Sequence, residues 1–135
     1  MKHFRILLCF LLVGCGFVPS ESKLVGTWQI DVLPARKVFY VFRQDHTYAV
    51  ITSGRPGSLE GTWKLDGNIL TTTMGSVTVY GMTNALPPVP APGLSSTQKV
   101  AIRRLTDSAM TWGLRGPGVK FKRVKTPPPA GASPS

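Results

Sequence analysis

The chain has 135 residues and a formal net charge of +10 at pH 7, from 16 Lys or Arg residues against 6 Asp or Glu residues. A chain of this length accommodates one domain with a modest core. Its two cysteines, Cys9 and Cys15, both lie near the amino terminus. The rest of the chain therefore cannot contain a disulfide, a reactive-cysteine site or a CxxC metal site.

The amino-terminal segment has the features of an export signal. Basic residues Lys2 and Arg5 flank the start of an apolar run of eight residues, 6–13. This run is too short to span a bilayer, which takes about 20 residues, and it has the length of the apolar region of a signal peptide. The run ends in LVGC at 12–15, which resembles the lipobox of bacterial lipoproteins.

The lipobox resemblance implies that residues 1–14 are a lipoprotein signal peptide and that Cys15 carries acyl chains such as palmitate. Two or more chains anchor a protein stably without a transmembrane helix. We expect residues 15–23 to be the lipidated tether. Because Gly16 rather than Asp follows the cysteine, we expect the protein at the outer membrane, facing the periplasm, rather than at the inner membrane. An ordinary secretory signal with a chance cysteine is the alternative.

Residues 24–125 have the two-residue period of β-strands with one buried face. The clearest stretch is 59–72, in which LEGTWKLD and ILTT flank the turn residues of a hairpin. No stretch after residue 14 shows a convincing helical period. The strands that we predict cover residues 25–32, 38–42, 46–52, 59–65, 69–72, 76–82, 97–105, 110–114 and 119–124.

These strands predict an all-β fold, an antiparallel up-and-down meander of about eight strands that closes into a small β-barrel and so leaves no exposed edges. Two segments fall outside this pattern. Residues 83–96 are rich in proline, which cannot lie in a central strand, and we expect a loop or lid. Residues 126–135 are small, polar and proline-rich, and we expect a disordered tail.

Several phrases of the chain resemble the small lipocalin-like domains of bacterial lipoproteins: LVGTW at 24–28, residues 42–48, GTWKLDGNILT at 61–71, RLTD at 104–107 and FKRV at 121–124. Gly26-Thr27-Trp28 resembles the Gly-x-Trp signature of lipocalins. The resemblance implies that Trp28 caps the bottom of the barrel and packs on an arginine from a late strand, for which the candidates are Arg103, Arg104 and Arg123. The chain departs from the family at His46, where a glycine is usual, and in the insertion at 83–96.

The resemblance implies a binding module more readily than a named activity. The aromatic residues predicted to line a ligand cavity are Trp28, Trp63, Trp112, Tyr48 and Tyr80. Their alternative role is to fill the core, because eight strands enclose either packed side chains or one small ligand.

A cluster of cations in the last strands is the second candidate site. We call Lys99, Arg103, Arg104, Lys120, Lys122 and Arg123 the basic cluster. It predicts contact with an anionic component of the cell envelope, and the alternative is a solvated face that keeps the protein soluble. Because the chain is predicted to be exported, we expect no nucleic-acid partner.

The sequence does not predict an enzyme. His46 is the one histidine after the signal segment, and its position in a turn leaves it without an evident nucleophile or carboxylate partner. Asp31 and Glu60 are the one pair of acids left for acid–base chemistry, because Glu21 lies in the predicted tether and Asp45, Asp66 and Asp107 occupy turn positions. We find no metal set and no phosphate-binding loop, and expect no cofactor.

The sequence as a whole therefore predicts a monomeric, lipid-anchored envelope lipoprotein whose lipocalin-like barrel binds a small apolar or amphiphilic molecule. The alternative is a structural or interaction module with a packed core, whose basic cluster contacts an anionic envelope component or a protein partner.

Overall fold

The computed structural model describes residues 18–30, 36–79, 82–85, 96–113 and 115–126, with residues 79 and 82–85 described by their backbone alone. Within these ranges the chain is almost entirely β-structure. The elements are α1 (Glu21–Leu24), β1 (Gly26–Ile30), β2 (Val38–Phe42), β3 (Thr47–Thr52), β4 (Ser58–Asp66), β5 (Ile69–Val79), β6 (Met82–Ala85), β7 (Thr97–Leu105), β8 (Ala109–Trp112) and β9 (Val119–Val124).

Eight of the strands form one ring of antiparallel pairs. β1 to β5 pair in chain order, β5 continues to β7, β7 to β8 and β8 to β9, and β9 pairs with β1. β6 forms a hairpin with the second half of β5, whereas β7 pairs with its first half. The predicted all-β meander that closes on itself is thus confirmed.

The ring has two distinguishable ends. Because the strands alternate in direction, the β2–β3, β4–β5 and β7–β8 turns lie at the end where β1 begins. α1 covers this end, with Glu21 in contact with His46 of the β2–β3 turn and Lys23 in contact with Asp107 of the β7–β8 turn. The β3–β4 and β8–β9 loops lie at the opposite end, which we call the open end.

The inward side chains pack into one core, as the two-residue period predicts. On β9, buried Phe121 lies between exposed Lys120 and Lys122, and on β8 buried Met110 and Trp112 flank Thr111. The buried core consists of Leu24, Trp28, Phe42, Tyr48, Trp63, Leu70, Ile102, Leu105, Met110, Trp112 and Phe121.

Gly61 allows β4 and β5 to approach closely at a point where their register shifts. A Cβ at this position would overlap the carbonyl oxygen of Thr73 and the Cα of Met74. β-Bulges bend a strand and increase its twist, so this irregularity helps the long β4–β5 ladder to curve into the ring.

The structure corrects three of the predicted boundaries. Residues 21–23, predicted as tether, form the single helical turn α1 together with Leu24. Residues 69–79, predicted as two strands, form one continuous strand. Three of the four residues of β6, 83–85, lie in the predicted 83–96 loop. Residues 86–95, the signal peptide with Cys15, and most of the 126–135 tail lie outside the described residues.

Candidate functional site

Trp28 and Arg123 form the centre of the end covered by α1. Trp28 is fully buried, and its Nε1 donates to the carbonyl oxygen of Leu24 at 2.8 Å. The guanidinium carbon of Arg123 lies 4.5 Å from the Trp28 ring centroid, within cation–π distance. The same guanidinium donates to the carbonyl oxygens of Val25, at 3.0 Å, and Lys23. The Trp–Arg pairing implied by the lipocalin resemblance is confirmed, and Arg123 is its partner.

The other predicted aromatic ligand contacts lie in the core. Trp63 and Tyr48 are 3% exposed and Trp112 is 8% exposed. The Trp63 Nε1 donates to the carbonyl oxygen of Arg43 at 3.1 Å, and the ring of Trp112 packs edge-on against Phe121 with 4.3 Å between centroids. Their direct role here is packing. Tyr80 lies outside the described residues.

Two tyrosine hydroxyls lie in this apolar interior. Burial raises the pKa of Tyr48 above its ordinary value, partly offset by a hydrogen bond with Thr72. Burial also raises the pKa of Tyr40, whose ring packs edge-on against Trp112, with 5.1 Å between centroids. Both hydroxyls therefore stay neutral at physiological pH and provide no nucleophile.

A cup opens at the end of the ring opposite α1, with a volume of about 250 Å³. Its walls are the inward side chains of Val50, Leu59 and Val77, which are cross-strand neighbours on β3, β4 and β5. Its rim is polar and includes the β3–β4 loop, with exposed Arg55 as the one cation among the described lining residues. The remaining lining residues are Thr52, Pro56, Gly57, Ser58 and Thr78.

Of the predicted aromatic site residues that the structure describes, Trp28, Trp63, Trp112 and Tyr48, none lines this cup. The sequence indicates that Val50 and Leu59 alternate with outward residues. Predicting the cup would also require the register of three strands and the position of the β3–β4 loop. Neither follows from the two-residue period. The signal that was available is the loop itself, Gly54-Arg55-Pro56-Gly57, since loops at the end of a scaffold commonly carry binding residues.

Five members of the basic cluster lie together on the outer surface of the ring. We call Lys99, Arg103, Arg104, Lys120 and Lys122, all exposed, the basic face. Arg104 and Lys120 are both cross-strand neighbours of Thr111, which points outward on the intervening strand β8. Arg123 lies apart from the basic face. It is the cross-strand neighbour of Trp28, and its side chain turns inward over the Trp28 ring.

His46 occupies the β2–β3 turn with a φ of 63°, in the left-handed region that favours glycine. Its Nε2 lies 3.2 Å from Glu21 Oε2, and its ring packs edge-on against Trp63, with 4.7 Å between centroids.

In the same turn Thr47 donates to Asp45 Oδ1 from its hydroxyl at 2.6 Å and from its N–H at 3.0 Å. These hydrogen bonds lower the pKa of Asp45, and the one from the Thr47 hydroxyl has the larger effect.

The remaining candidate chemistry is sparse. Glu60 points outward from β4, opposite Ala49 of β3, and Asp31 lies outside the described residues. Within the described ranges no group of three or more His, Cys, Asp or Glu side chains is placed to hold a metal ion. The described part of the chain also contains no helix with the length and apolar character needed to cross a membrane.

Comparison of the chain with protein families, curated proteins and solved structures found no match. The features of the molecule that bear on function are the cup, the basic face and the end covered by α1.

Proposed function

We propose that the protein is a lipid-anchored envelope lipoprotein that holds a small amphiphilic molecule in the cup at the open end of its ring. The observation that carries this proposal is the position of the cup. It is an apolar concavity with a polar rim, at the mouth of a closed β-sheet, which is where such folds hold ligands.

The size and chemistry of the cup support a particular kind of ligand. Its volume of about 250 Å³ is just below the range of about 300–1,000 Å³ typical of small-molecule sites, so a short apolar chain fits and the head group projects. Val50, Leu59 and Val77 would contact the chain. Arg55 at the rim would pair with a negatively charged head, since guanidinium binds carboxylate and phosphate in bidentate geometry.

In this proposal the two ends of the ring have different roles. α1, Trp28 and Arg123 close the end that follows the predicted lipid anchor at Cys15, so the cup opens away from the anchor. Acyl chains on Cys15 would hold the protein at the membrane, and the cup would face the aqueous space of the envelope.

Native mass spectrometry of residues 16–135 tests the proposal, after incubation with a detergent-free envelope extract. These residues include all those that the structure describes. We expect a discrete added mass that survives high salt, because apolar contacts are not screened as surface charges are. A bare protein under every condition would contradict the proposal.

A pair of variants locates the bound mass. Val77→Phe fills the cup with a bulkier apolar side chain and should abolish the added mass. Thr62→Phe introduces the same side chain at an exposed position of β4, which points outward like its neighbour Thr47, and should leave the added mass unchanged. Equal retention by both variants would place the ligand outside the cup.

A further inference from the structure

The outer surface formed by β7, β8 and β9 carries one sign of charge. The three strands contribute the five cations of the basic face and no Asp or Glu. The nearest described acids lie at its borders. Asp107 in the β7–β8 turn is 3.9 Å from the amino group of Lys23, and Asp66 shares a surface depression with Lys99. Within the described residues, neither Arg104 nor Lys120, the two cations at the centre of the basic face, forms an ion pair.

Arg104 and Lys120 define this centre. Both face outward on either side of Thr111, and because neighbouring strands are about 4.8 Å apart, their Cα atoms lie about 10 Å from each other. Lys122 follows Lys120 on the same side of β9, about 7 Å along the strand. Arg103 donates to the carbonyl oxygen of Gly116, which ties the β8–β9 loop to this face without neutralising its charge.

The geometry of the cations indicates the form of their ligand. They stand side by side on a sheet surface, and the residues between them, Ala109 and Thr111, are small. A plane of closely spaced anions would therefore meet several of these cations together, across Cα separations of about 7 to 10 Å. Val18 and Val119 are the exposed large apolar residues of the described chain, so little apolar surface is available for insertion, and attraction must be electrostatic.

We propose that the basic face binds clustered phosphates, as displayed by a bilayer of anionic phospholipids. This proposal is independent of the cup, since the two surfaces share no residue. Each Lys or Arg near an anionic membrane contributes about 1 kcal/mol, which corresponds to about a fivefold change in partitioning. Several cations acting together give useful affinity, and they do so without a binding pocket.

Vesicle co-sedimentation of residues 16–135 tests this proposal, with phosphatidylglycerol-containing vesicles compared with vesicles of phosphatidylcholine alone. We expect binding to the anionic vesicles at about 0.05 M salt and release at about 0.5 M, where screening is strong. Absence of binding to anionic vesicles, or equal binding to neutral ones, would overturn the proposal.

Charge-matched variants distinguish vesicle binding through the basic face from attraction due to the net charge of the whole protein. Arg104→Gln with Lys120→Gln should lower partitioning about 25-fold, two effects of about fivefold each. Lys37→Gln with Lys64→Gln removes the same charge from two other exposed positions and should lower it less than about threefold. Circular dichroism confirms folding of both variants. Equal losses in the two would show that total charge, not this face, binds the bilayer.

Soluble tripolyphosphate distinguishes the source of the phosphates. Displacement of the protein from anionic vesicles by tripolyphosphate would support phosphate recognition by the basic face. Binding of tripolyphosphate by a protein that does not bind vesicles would overturn the assignment to a bilayer.

Discussion

At the scale of single residues, Gly26 is constrained both by its backbone conformation and by a neighbouring side chain. Its φ is 142°, a conformation that residues with a Cβ rarely adopt, and the guanidinium of Arg123 occupies the space that a side chain would need. The glycine thus serves the contact between Trp28 and Arg123. This is a physical reason for the Gly-x-Trp spacing: the glycine makes room for the arginine that covers the tryptophan two residues later.

Gly26→Ala should destabilise the fold by about 3 kcal/mol, because backbone strain and the displacement of Arg123 add together. Urea unfolding followed by tryptophan fluorescence measures this change. Gly75→Ala is the matched control, since its Cβ would meet one atom at 3.9 Å, an ordinary contact, and it should stay within about 0.5 kcal/mol of the parent protein. Equal free-energy changes for the two variants would contradict this account of Gly26.

Arg123 also shows what the two-residue alternation can predict and what it cannot. The alternation that places Lys120 and Lys122 outward and Phe121 inward also places Arg123 inward, so its separation from the basic cluster was available from the sequence. Grouping cations by proximity in the chain concealed it. The choice among Arg103, Arg104 and Arg123 as the partner of Trp28 required the pairing of β1 with β9, a contact between residues about 100 positions apart.

At the scale of elements, α1 and the β2–β3 turn stabilise one another. α1 is a single turn and has too few hydrogen bonds to be stable alone. It is held by Leu24, which is fully buried, and by the contact of Glu21 with His46. His46 is held in the left-handed region, which costs a residue with a Cβ about 1–2 kcal/mol, so its side-chain contacts with α1 and Trp63 must offset this cost.

Two substitutions at His46 separate the backbone cost from the side-chain contacts. His46→Ala keeps the strained backbone and loses both contacts, and should be about 1 kcal/mol less stable than the parent protein. His46→Gly also loses the contacts but relieves the backbone, and should be about 1 kcal/mol more stable than His46→Ala. Chemical denaturation gives both values, and identical stabilities for the two variants would show that the turn is unstrained.

The elements themselves were largely predictable from the sequence. Strands β2, β7 and β9 have the predicted limits, because segments rich in Gly, Pro, Asp or Ser border them in the sequence. α1 was not predicted, since a four-residue helix has no period to detect and forms through its contacts with the ring. The single strand Ile69–Val79 was divided in the prediction because Gly75 lies within it, and glycine commonly marks the end of a strand.

At the scale of the whole molecule, the ring has a closed end, an open end and a charged side. The buried tryptophans lie in the core, and the cup that we propose as the ligand site lies at the open end beside the β3–β4 loop. The sequence predicted a cavity beside the tryptophans because aromatic residues are common in both pockets and cores. Only the register of β3, β4 and β5 shows which inward residues remain near the mouth.

In the two proposals, the cup and the basic face are separate sites of contact with the cell envelope. The predicted anchor and the basic face would both contact the membrane, and the cup would bind an amphiphile at the open end. Changes at Arg104 and Lys120 should therefore alter vesicle binding without altering the occupancy of the cup, and changes at Val77 should do the reverse.

Methyl NMR of residues 16–135 during a titration with decanoate tests the central claim most directly, because this probe combines an apolar chain with a carboxylate that Arg55 can bind. We expect saturable shifts of the methyl signals of Val50, Leu59 and Val77, with little change at Leu70 and Leu105, which are buried in the core. Loss of these shifts in Val77→Phe would confirm the cup as the site. Shifts at the core leucines with unchanged cup signals, or no shifts at all, would contradict the account.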